Sequence, residues 1–293
     1  MEILMVDEQC KQTREEIREK SKLTKEEWRD FTKTVWHVAN TSHPDHPAVF
    51  AAEIPRRLIK MFSFVGETVL DPFAGVGTTA KVANELQRNC LCVEQNERFA
   101  KRITEDASLV AKNRWTQVVV GDSRDLAFIE DNSIPLIVTS PPYWNKADYG
   151  DGQANIGGIE GYRDFHTELA QVWLECLRVL EPGRKLCIVT ANVSQHTDHG
   201  LLMFPLAADF IVQLRDIGFL VVGEAIWSKD KTGGKWGSHG SQRPIFGSYP
   251  YPPNFLFKTV HEHVLVFSKP PIKETKGPNV KKYDDLMKRS KED

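Results

Sequence analysis

The chain has 293 residues, 41% of them hydrophobic, which is enough to bury one large core or two smaller ones. Its formal net charge of −2 gives no global indication of a nucleic-acid partner. Residues 1–16 lack the basic start and apolar stretch of a signal peptide, and no window reaches the ~18 apolar residues of a membrane span, so we expect a soluble, intracellular protein.

The cysteines show no metal-type or redox-type spacing. No CxxC occurs, and most of the five cysteines stand inside apolar runs. We therefore expect reduced core residues rather than disulfides. They are Cys10, Cys90, Cys92, Cys176 and Cys187.

The apolar pattern predicts a helical start followed by alternating strands and helices. Residues 11–40 are densely charged, with apolar residues at three-to-four spacing, which predicts an N-terminal helical segment over 1–40. The later helices are predicted at 51–64, 78–89, 96–113, 162–180 and 205–218. The strands are predicted at 67–73, 90–95, 116–122, 133–140, 185–192, 219–229 and 259–269.

Strands separated by helices in this way indicate an α/β fold. We predict an open, doubly wound, mostly parallel seven-stranded sheet with a closing antiparallel hairpin, carried by one domain over 41–269. A charged tail over 270–293 follows it. The connection 229–259 between the last two strands is unusually long and rich in aromatic residues, so we expect it to be ordered and functional.

A glycine-rich turn follows the first predicted strand, in ETVLDPFAGVGTTA. Gly75 and Gly77 stand where a doubly wound sheet lets the backbone approach a ligand at a helix N-terminus. The spacing also fits the dinucleotide pattern GxGxxG/A, so a nicotinamide enzyme and a purely structural tight turn are alternatives.

Three acids stand at three successive strand ends. Glu94 closes the second strand, where a carboxylate can accept hydrogen bonds from ribose hydroxyls in a nicotinamide or an S-adenosylmethionine enzyme. Asp122 closes the third strand, where it can accept from the exocyclic amine of an adenine, and Asp71 closes the first. Each acid could also be an ordinary exposed strand end, but three in succession favour a ligand site.

The fourth strand ends in TSPPYW. Two prolines after Ser140 predict a stiff turn that offers carbonyl groups and one hydroxyl without competing N–H donors. Such a turn fits a planar amino group: if the Ser140 hydroxyl and the Pro141 carbonyl each accept one N–H, the nitrogen lone pair is freed to attack a methyl group. Pro142 stiffens the turn, and Tyr143 can stack on a base flipped from the duplex. A rigid turn with packed aromatic residues is the alternative.

DPFAGVGTT together with TSPPYW resembles the amino-methylating DNA methyltransferases, which modify cytosine N4 or adenine N6. The resemblance covers about residues 36–269 and implies S-adenosyl-L-methionine as the cofactor, double-stranded DNA as the partner, and a methyltransferase sheet. It implies Ser140, Pro141, Pro142 and Tyr143 as the catalytic motif, in which serine at the first position is found mostly in cytosine-N4 enzymes. The cofactor residues it implies are His46, Pro47, Phe50, Glu53, Asp71, Pro72, Phe73, Gly75, Gly77, Thr78, Thr79, Glu94, Asp122 and Ser123.

The chain departs from the family pattern in two respects. Members with a similar cofactor segment usually carry the SPPY half first, so this chain looks circularly permuted. No separate target-recognition domain is visible, so segment 229–259 is expected to read the DNA, unless it is a lid packed on its own sheet. Its candidate phosphate and base contacts are Lys229, Lys231, Lys235, Trp236, Arg243, Tyr249 and Tyr251.

The resulting hypothesis is a cytosine-N4 DNA methyltransferase of a bacterial or archaeal restriction-modification system, acting in the cytoplasm on nucleoid DNA beside a possible cognate endonuclease. Adenine-N6 methylation, RNA methylation, a nicotinamide oxidoreductase and a non-catalytic DNA-binding subunit are the alternatives. Cytosine-C5 chemistry would need a Pro-Cys nucleophile, which does not occur. No metal is expected, because the candidate ligands His43, His46, His261 and His263 fall on separate elements.

Overall fold

The computed structural model describes residues 13–39, 51–106, 114–144, 155–229, 248, 250–277 and 280–287. The helices are α1 (Arg14–Lys20), α2 (Lys25–Phe31), α3 (Glu53–Phe62), α4 (Thr78–Glu85), α5 (Glu97–Glu105), α6 (Tyr162–Val179), α7 (Leu206–Ile217) and α8 (Tyr283–Met287), with a short 3-10 helix at Ile156–Gly158. The strands are β1 (Val35–His37), β2 (Thr68–Asp71), β3 (Asn89–Glu94), β4 (Thr116–Val120), β5 (Ile134–Thr139), β6 (Leu180–Thr190), β7 (Val193–Thr197), β8 (Gly200–Phe204), β9 (Leu220–Ser228) and β10 (His261–Ser268).

Eight of these strands form one sheet in the order β1-β9-β10-β6-β5-β2-β3-β4. Strands β2 to β6 run parallel, whereas β10 is antiparallel to both of its neighbours, β6 and β9. The predicted open, mostly parallel sheet with a closing antiparallel hairpin is therefore confirmed. The carboxyl ends of β2 to β6 and the amino end of β10 share one edge of the sheet.

Helices cover both faces of the sheet. Alternate residues of the central strands enter different cores, as with Val69 and Leu70 on β2. One core contains Phe165 and Phe210 from α6 and α7, and the other contains Leu58 from α3 with residues of α4 and α5. All six residues of β5 are buried, as expected for a strand covered on both faces.

The N-terminal segment is not one helix. The structure has two seven-residue helices, α1 and α2, each begun by a threonine capping box, and then strand β1. The prediction that Val35 and Trp36 continue the helix was wrong, because β1 pairs in parallel with β9. Trp36 is buried and its Nε1 donates to the carbonyl of Phe31 at 3.2 Å, so the chain folds back on α2. This strand is the eighth of the sheet.

Two further features differ from the predicted pattern. The antiparallel hairpin β7–β8 was not predicted, although its strands pair over five residues each. Strand β6 starts directly after α6 at Leu180, not after the Glu-Pro-Gly-Arg turn. The extra residues are absorbed by an irregular register against β5, between Ile134 and Leu136.

The described cysteines are core residues, as the apolar runs around them predict. Cys90, Cys92, Cys176 and Cys187 are buried and form no disulfide, while Cys10 lies outside the described residues. Within the described ranges, no helix has both the length and the apolar character needed to cross a membrane.

Candidate active site

The turn between β2 and α4 carries the two glycines of the sequence pattern. Gly75 and Gly77 have φ angles of 53° and 83°, in the left-handed region that side chains disfavour. A Cβ atom on Gly77 would also come within 2.9 Å of Ile103 Cγ1 on α5. Helix α4 begins at Thr78, so its first backbone N–H groups, which have no partner within a helix, follow this tight turn directly.

Glu94, the last residue of β3, lies against this turn. Its carboxylate accepts hydrogen bonds from the backbone N–H groups of Gly75 at 2.6 Å and Asn96 at 2.8 Å. Burial raises the pKa of Glu94 above its ordinary value, and the two amide hydrogen bonds offset part of that rise. The structure thus brings Glu94 to the glycine turn, and its role toward a ribose stays a prediction.

Asp71 is buried and has protein partners, and its role toward a cofactor stays a prediction. Its side chain is only 1% exposed, and its Oδ1 accepts from the Thr139 hydroxyl at 2.7 Å and the Phe73 amide at 3.1 Å. Burial raises the pKa of Asp71, and hydrogen bonds to the carboxylate only partly oppose this. Asp71 therefore joins the end of β2 to the end of β5.

Asp122 and Ser123, after β4, also have protein partners. Arg124 Nε donates to both carboxylate oxygens of Asp122 at 3.0 Å. Burial raises the pKa of Asp122, but the contacts with Arg124 outweigh it, and the pKa lies below its ordinary value. The buried Ser123 hydroxyl donates to the carbonyl of Pro72. An adenine amine would thus share Asp122 with Arg124. The Ser123 hydroxyl connects two loops, and its role toward a cofactor stays a prediction.

The other predicted cofactor residues are placed around the same turn or on α3. Phe73 is half-buried with its ring centroid 6.4 Å from that of Trp173, Thr78 is half-buried, and Thr79 is buried. Glu53, in the first turn of α3, accepts from Arg57 Nε at 2.9 Å. His46, Pro47 and Phe50 lie outside the described residues.

The Ser140–Tyr143 turn follows β5 and is anchored by the next residue. Trp144 is 5% exposed, has a φ of 52°, and donates from Nε1 to the carbonyl of Glu160 at 3.1 Å. Its ring centroid lies 5.1 Å from that of Tyr162 and 4.8 Å from that of Phe204. The first aromatic residue of the motif, Tyr143, is only half-buried. The prolines are therefore held between a buried strand and a buried tryptophan.

The glycine turn and the Ser140–Tyr143 turn meet at one edge of the sheet. Strands β2 and β5 are hydrogen-bonded parallel neighbours, with Leu70 opposite Ile137. Their last residues, Asp71 and Thr139, are 68 residues apart in the chain, yet they are joined by the 2.7 Å hydrogen bond. The sequence did not show that the two motifs touch, and the sheet order settles that they do.

A polar chain that the sequence did not reveal reaches Ser140 from the closing hairpin. Ser140 Oγ lies 3.2 Å from the Tyr143 hydroxyl, which donates to Glu262 Oε2 at 3.0 Å. Glu262 Oε1 in turn accepts from Lys229 Nζ. The topology could have predicted this position for Glu262. An antiparallel last strand begins at the edge where the parallel strands end, so Glu262, at the start of β10, lies beside those ends.

Segment 229–259 is only partly described. Lys229 is 4% exposed, its Nζ pairs with Glu262, and Nζ lies 4.4 Å from the Trp227 ring centroid; its predicted contact with phosphate stays a prediction. Tyr251 is 74% exposed. The other candidate DNA contacts, Lys231, Lys235, Trp236, Arg243 and Tyr249, lie outside the described residues.

Metal ligation has no supporting group in the part of the chain that the structure covers. Among the described residues, no three His, Cys, Asp or Glu side chains are grouped as metal ligands. His261 and His263 stack edge to face at 5.1 Å, and His263 Nδ1 lies 2.6 Å from Glu224 Oε1. His43 and His46 lie outside the described ranges.

The sheet and the two turns at its carboxyl edge define the class: the predicted fold of the S-adenosylmethionine-dependent methyltransferases is confirmed. A family model described as DNA methylase, for the N6/N4 enzymes, matches residues 4–105 and 134–293. The chain therefore belongs to the N6/N4 DNA methylase family.

Individual relatives match parts of the chain. Type II methyltransferase M.MjaI of Methanocaldococcus jannaschii is 42% identical over 101 residues, which are 33% of either chain. Type II methyltransferase M.MthZI of Methanothermobacter thermautotrophicus is 28% identical over 186 residues, 58% of this chain and 48% of that protein. The chain thus matches less than half the length of these two relatives. A putative DNA modification methylase of Thermus thermophilus, solved in complex with S-adenosyl-L-methionine, is 34% identical, with coverage of 54% and 57% and a TM-score of 0.39.

Proposed function

We propose that the chain transfers a methyl group from S-adenosyl-L-methionine to the exocyclic N4 amine of a flipped cytosine in double-stranded DNA. The observation that carries the proposal is the proximity of the strand ends that lead into the two turns: β2 and β5 are hydrogen-bonded neighbours, and their last residues, Asp71 and Thr139, are linked by a hydrogen bond of 2.7 Å. A methyl donor and an amine acceptor held by these turns would therefore share one edge of the sheet.

The residues around the glycine turn fit the cofactor. The left-handed Gly77 leaves no room for a Cβ atom, because Ile103 of α5 packs against it, so a glycine is required for this tight turn before α4. Glu94 would accept from the ribose hydroxyls, and Asp122, beside Arg124, would accept from the adenine amine. When bound, the cofactor supplies an electrophilic methyl group, so this chemistry needs positioning more than a strong base or a metal.

The Ser140–Tyr143 turn fits the amine. The Ser140 hydroxyl and the Pro141 carbonyl would each accept one N–H of the amine, drawing the nitrogen toward a tetrahedral shape and freeing its lone pair. The half-buried ring of Tyr143 would stack on the base, a contact of about 1–3 kcal/mol in single-strand binders. Extrusion of the base from the duplex would cost a few kcal/mol.

We assign DNA reading to segment 229–259. It connects β9 to β10, whose adjoining residues Lys229 and Glu262 reach Tyr143 through hydrogen bonds, and its described residue Tyr251 is 74% exposed. We further propose the permuted order of the two motifs and a domain over 41–269, flanked by segment 1–40 and a charged tail over 270–293. The restriction-modification setting, a cognate endonuclease and a cytoplasmic, nucleoid-bound location are parts of the same proposal.

The product identifies the target. A mixed-sequence duplex is incubated with the protein and labelled S-adenosyl-L-methionine, then digested to nucleosides and separated. N4-methylcytosine is the expected labelled product. N6-methyladenine as the labelled product would overturn the cytosine assignment, and absence of label from DNA together with label in RNA would overturn the DNA assignment.

A further inference from the structure

The polar chain Lys229–Glu262–Tyr143–Ser140 connects the closing hairpin with the catalytic turn. Its links are the ion pair between Lys229 and Glu262, the 3.0 Å hydrogen bond from the Tyr143 hydroxyl to Glu262 Oε2, and the 3.2 Å contact between the Tyr143 hydroxyl and Ser140 Oγ. The side chains of Lys229 and Glu262 are only 5% and 13% exposed. Neither residue belongs to DPFAGVGTT or TSPPYW, the two motifs that carry the resemblance to the family.

Donor and acceptor chemistry gives this chain one direction. Lys229 carries only donors, and an ionised carboxylate accepts only. The Tyr143 hydroxyl must therefore use its single proton on Glu262, whose Oε2 lies 3.0 Å from the hydroxyl oxygen. Its oxygen is then left to accept from Ser140, and the Ser140 proton is used on Tyr143.

This direction matters for an amine substrate. With its proton turned toward Tyr143, Ser140 Oγ presents lone pairs, which can accept an N–H of the amine. In the opposite direction Ser140 would present its proton to the amine nitrogen and occupy the lone pair that must attack the methyl group. The direction of the hydrogen bonds along the polar chain Lys229–Glu262–Tyr143–Ser140 therefore decides whether Ser140 assists or obstructs the nucleophile.

We infer that Glu262, held by Lys229, is a positioning residue that fixes Ser140 as a hydrogen-bond acceptor for the target amine. The inference rests on the proposed amine methylation by this site. Glu262 acts through Tyr143 and does not touch the substrate. The buried ion pair suits such a role, because apolar residues of similar volume would stabilise the fold as well as a buried pair does but could not orient a hydroxyl.

The test uses Glu262→Gln, Tyr143→Phe and the double variant, with Glu224→Gln as the matched control. In Glu262→Gln the single amide oxygen is taken by Lys229, so the NH2 group faces Tyr143 and reverses the chain. We expect kcat for DNA methylation to fall about 10- to 100-fold, as for a lost hydrogen bond to a charged group, with KM for cofactor and DNA changed by less than about threefold. Glu224, a glutamate paired with His263 on the same hairpin, should change kcat little when made Gln.

The double variant distinguishes positioning from general damage. In the Tyr143→Phe background the polar chain is already interrupted, because the hydroxyl that links Glu262 to Ser140 is missing. Glu262→Gln should therefore cause no further loss of kcat. Equal effects of Glu262→Gln with and without the Tyr143 hydroxyl would overturn the inference, as would wild-type kcat in Glu262→Gln. Should Glu262→Gln unfold, Lys229→Met with Glu262→Met removes both charges together with the acceptor for the Tyr143 proton, and a loss of kcat is expected from that folded pair. Wild-type protein without methylation of DNA would instead refute the proposed function itself.

Discussion

At the level of single residues, the proposed function predicts a large effect of Ser140→Ala on turnover. The Ser140 hydroxyl would accept one N–H of the amine, so Ser140→Ala should retain cofactor binding and lower kcat by about 100- to 1000-fold, by analogy with the loss of one oxyanion-hole donor. Cofactor affinity is measured by calorimetry and turnover by methyl transfer to duplex DNA. Full turnover in the variant would reject the catalytic role of the hydroxyl.

The control for Ser140→Ala lies at the other end of the same strand. Ser133 precedes β5, is exposed, and donates from Oγ to the carbonyl of Glu130 at 2.6 Å. Ser133→Ala should leave both turnover and cofactor affinity unchanged. A similar loss from both serines would point to damage of β5 rather than to chemistry at its carboxyl end.

Sequence patterns found the residues that stand next to each other in the chain and missed those that meet across the sheet. Gly75, Gly77 and Ser140 to Tyr143 were predicted because each set forms a short motif with its own backbone requirement. Glu262 is 119 residues from Tyr143 in the chain, and its partnership depends on the antiparallel direction of β10. The partnership of Asp71 with Thr139 was likewise not predicted, because a strand end alone does not tell which way its last side chain points.

Of the secondary-structure elements, β1 shows how a periodic pattern misleads. Trp28 and Trp36 both fitted one helical stripe, yet Trp28 is 62% exposed on α2 and Trp36 is 3% exposed on a strand. Residues 32–34 contain no glycine or other typical signal of a helix end, so the sequence did not predict the turn between α2 and β1. The densely charged helical pattern of α1 and α2 was extended over β1, a short strand with β-branched and aromatic residues. This strand depends on β9 for its hydrogen bonds, which lie far away in the sequence.

The two tryptophans test the docking of β1. Trp36→Ala should lower the free energy of unfolding by about 3–5 kcal/mol, because it empties a buried site between α2 and the sheet. Trp28→Ala should change it by less than about 0.5 kcal/mol, as for an exposed side chain. Urea unfolding followed by circular dichroism gives both values. Equal effects of the two substitutions would contradict the placement of β1 in the sheet.

For the whole molecule, the buried carboxyl of Asp71 predicts a pH dependence of stability. Burial raises its folded pKa above the ordinary value of 3.8. As the pH rises above that value the unfolded chain releases this proton first, so Asp71 lowers the free energy of unfolding until the pH passes the folded pKa. Asp71→Asn lacks this proton release. Its stability relative to wild type should therefore increase with rising pH through this range and then level off, as measured by urea unfolding at a series of pH values.

Asp122 supplies a control of opposite sign. Arg124 outweighs the effect of burial and holds the folded pKa of Asp122 below 3.8, so its contribution to stability is present above that value and is lost as the pH falls through the folded pKa. The cost of Asp122→Asn should accordingly shrink in acid. A constant stability difference between Asp71→Asn and wild type across the pH series would refute the assignment for Asp71.

Neighbouring strands of a sheet lie about 4.8 Å apart, a spacing fixed by backbone hydrogen bonds. Because the turns after β2 and β5 follow directly from such neighbours, and Asp71 and Thr139 join the ends of these strands, the spacing between the starts of the two turns is set when the chain folds. Under the proposed function, the large displacement in each catalytic cycle would belong to the target nucleotide, which would leave the duplex to reach the Ser140–Tyr143 turn.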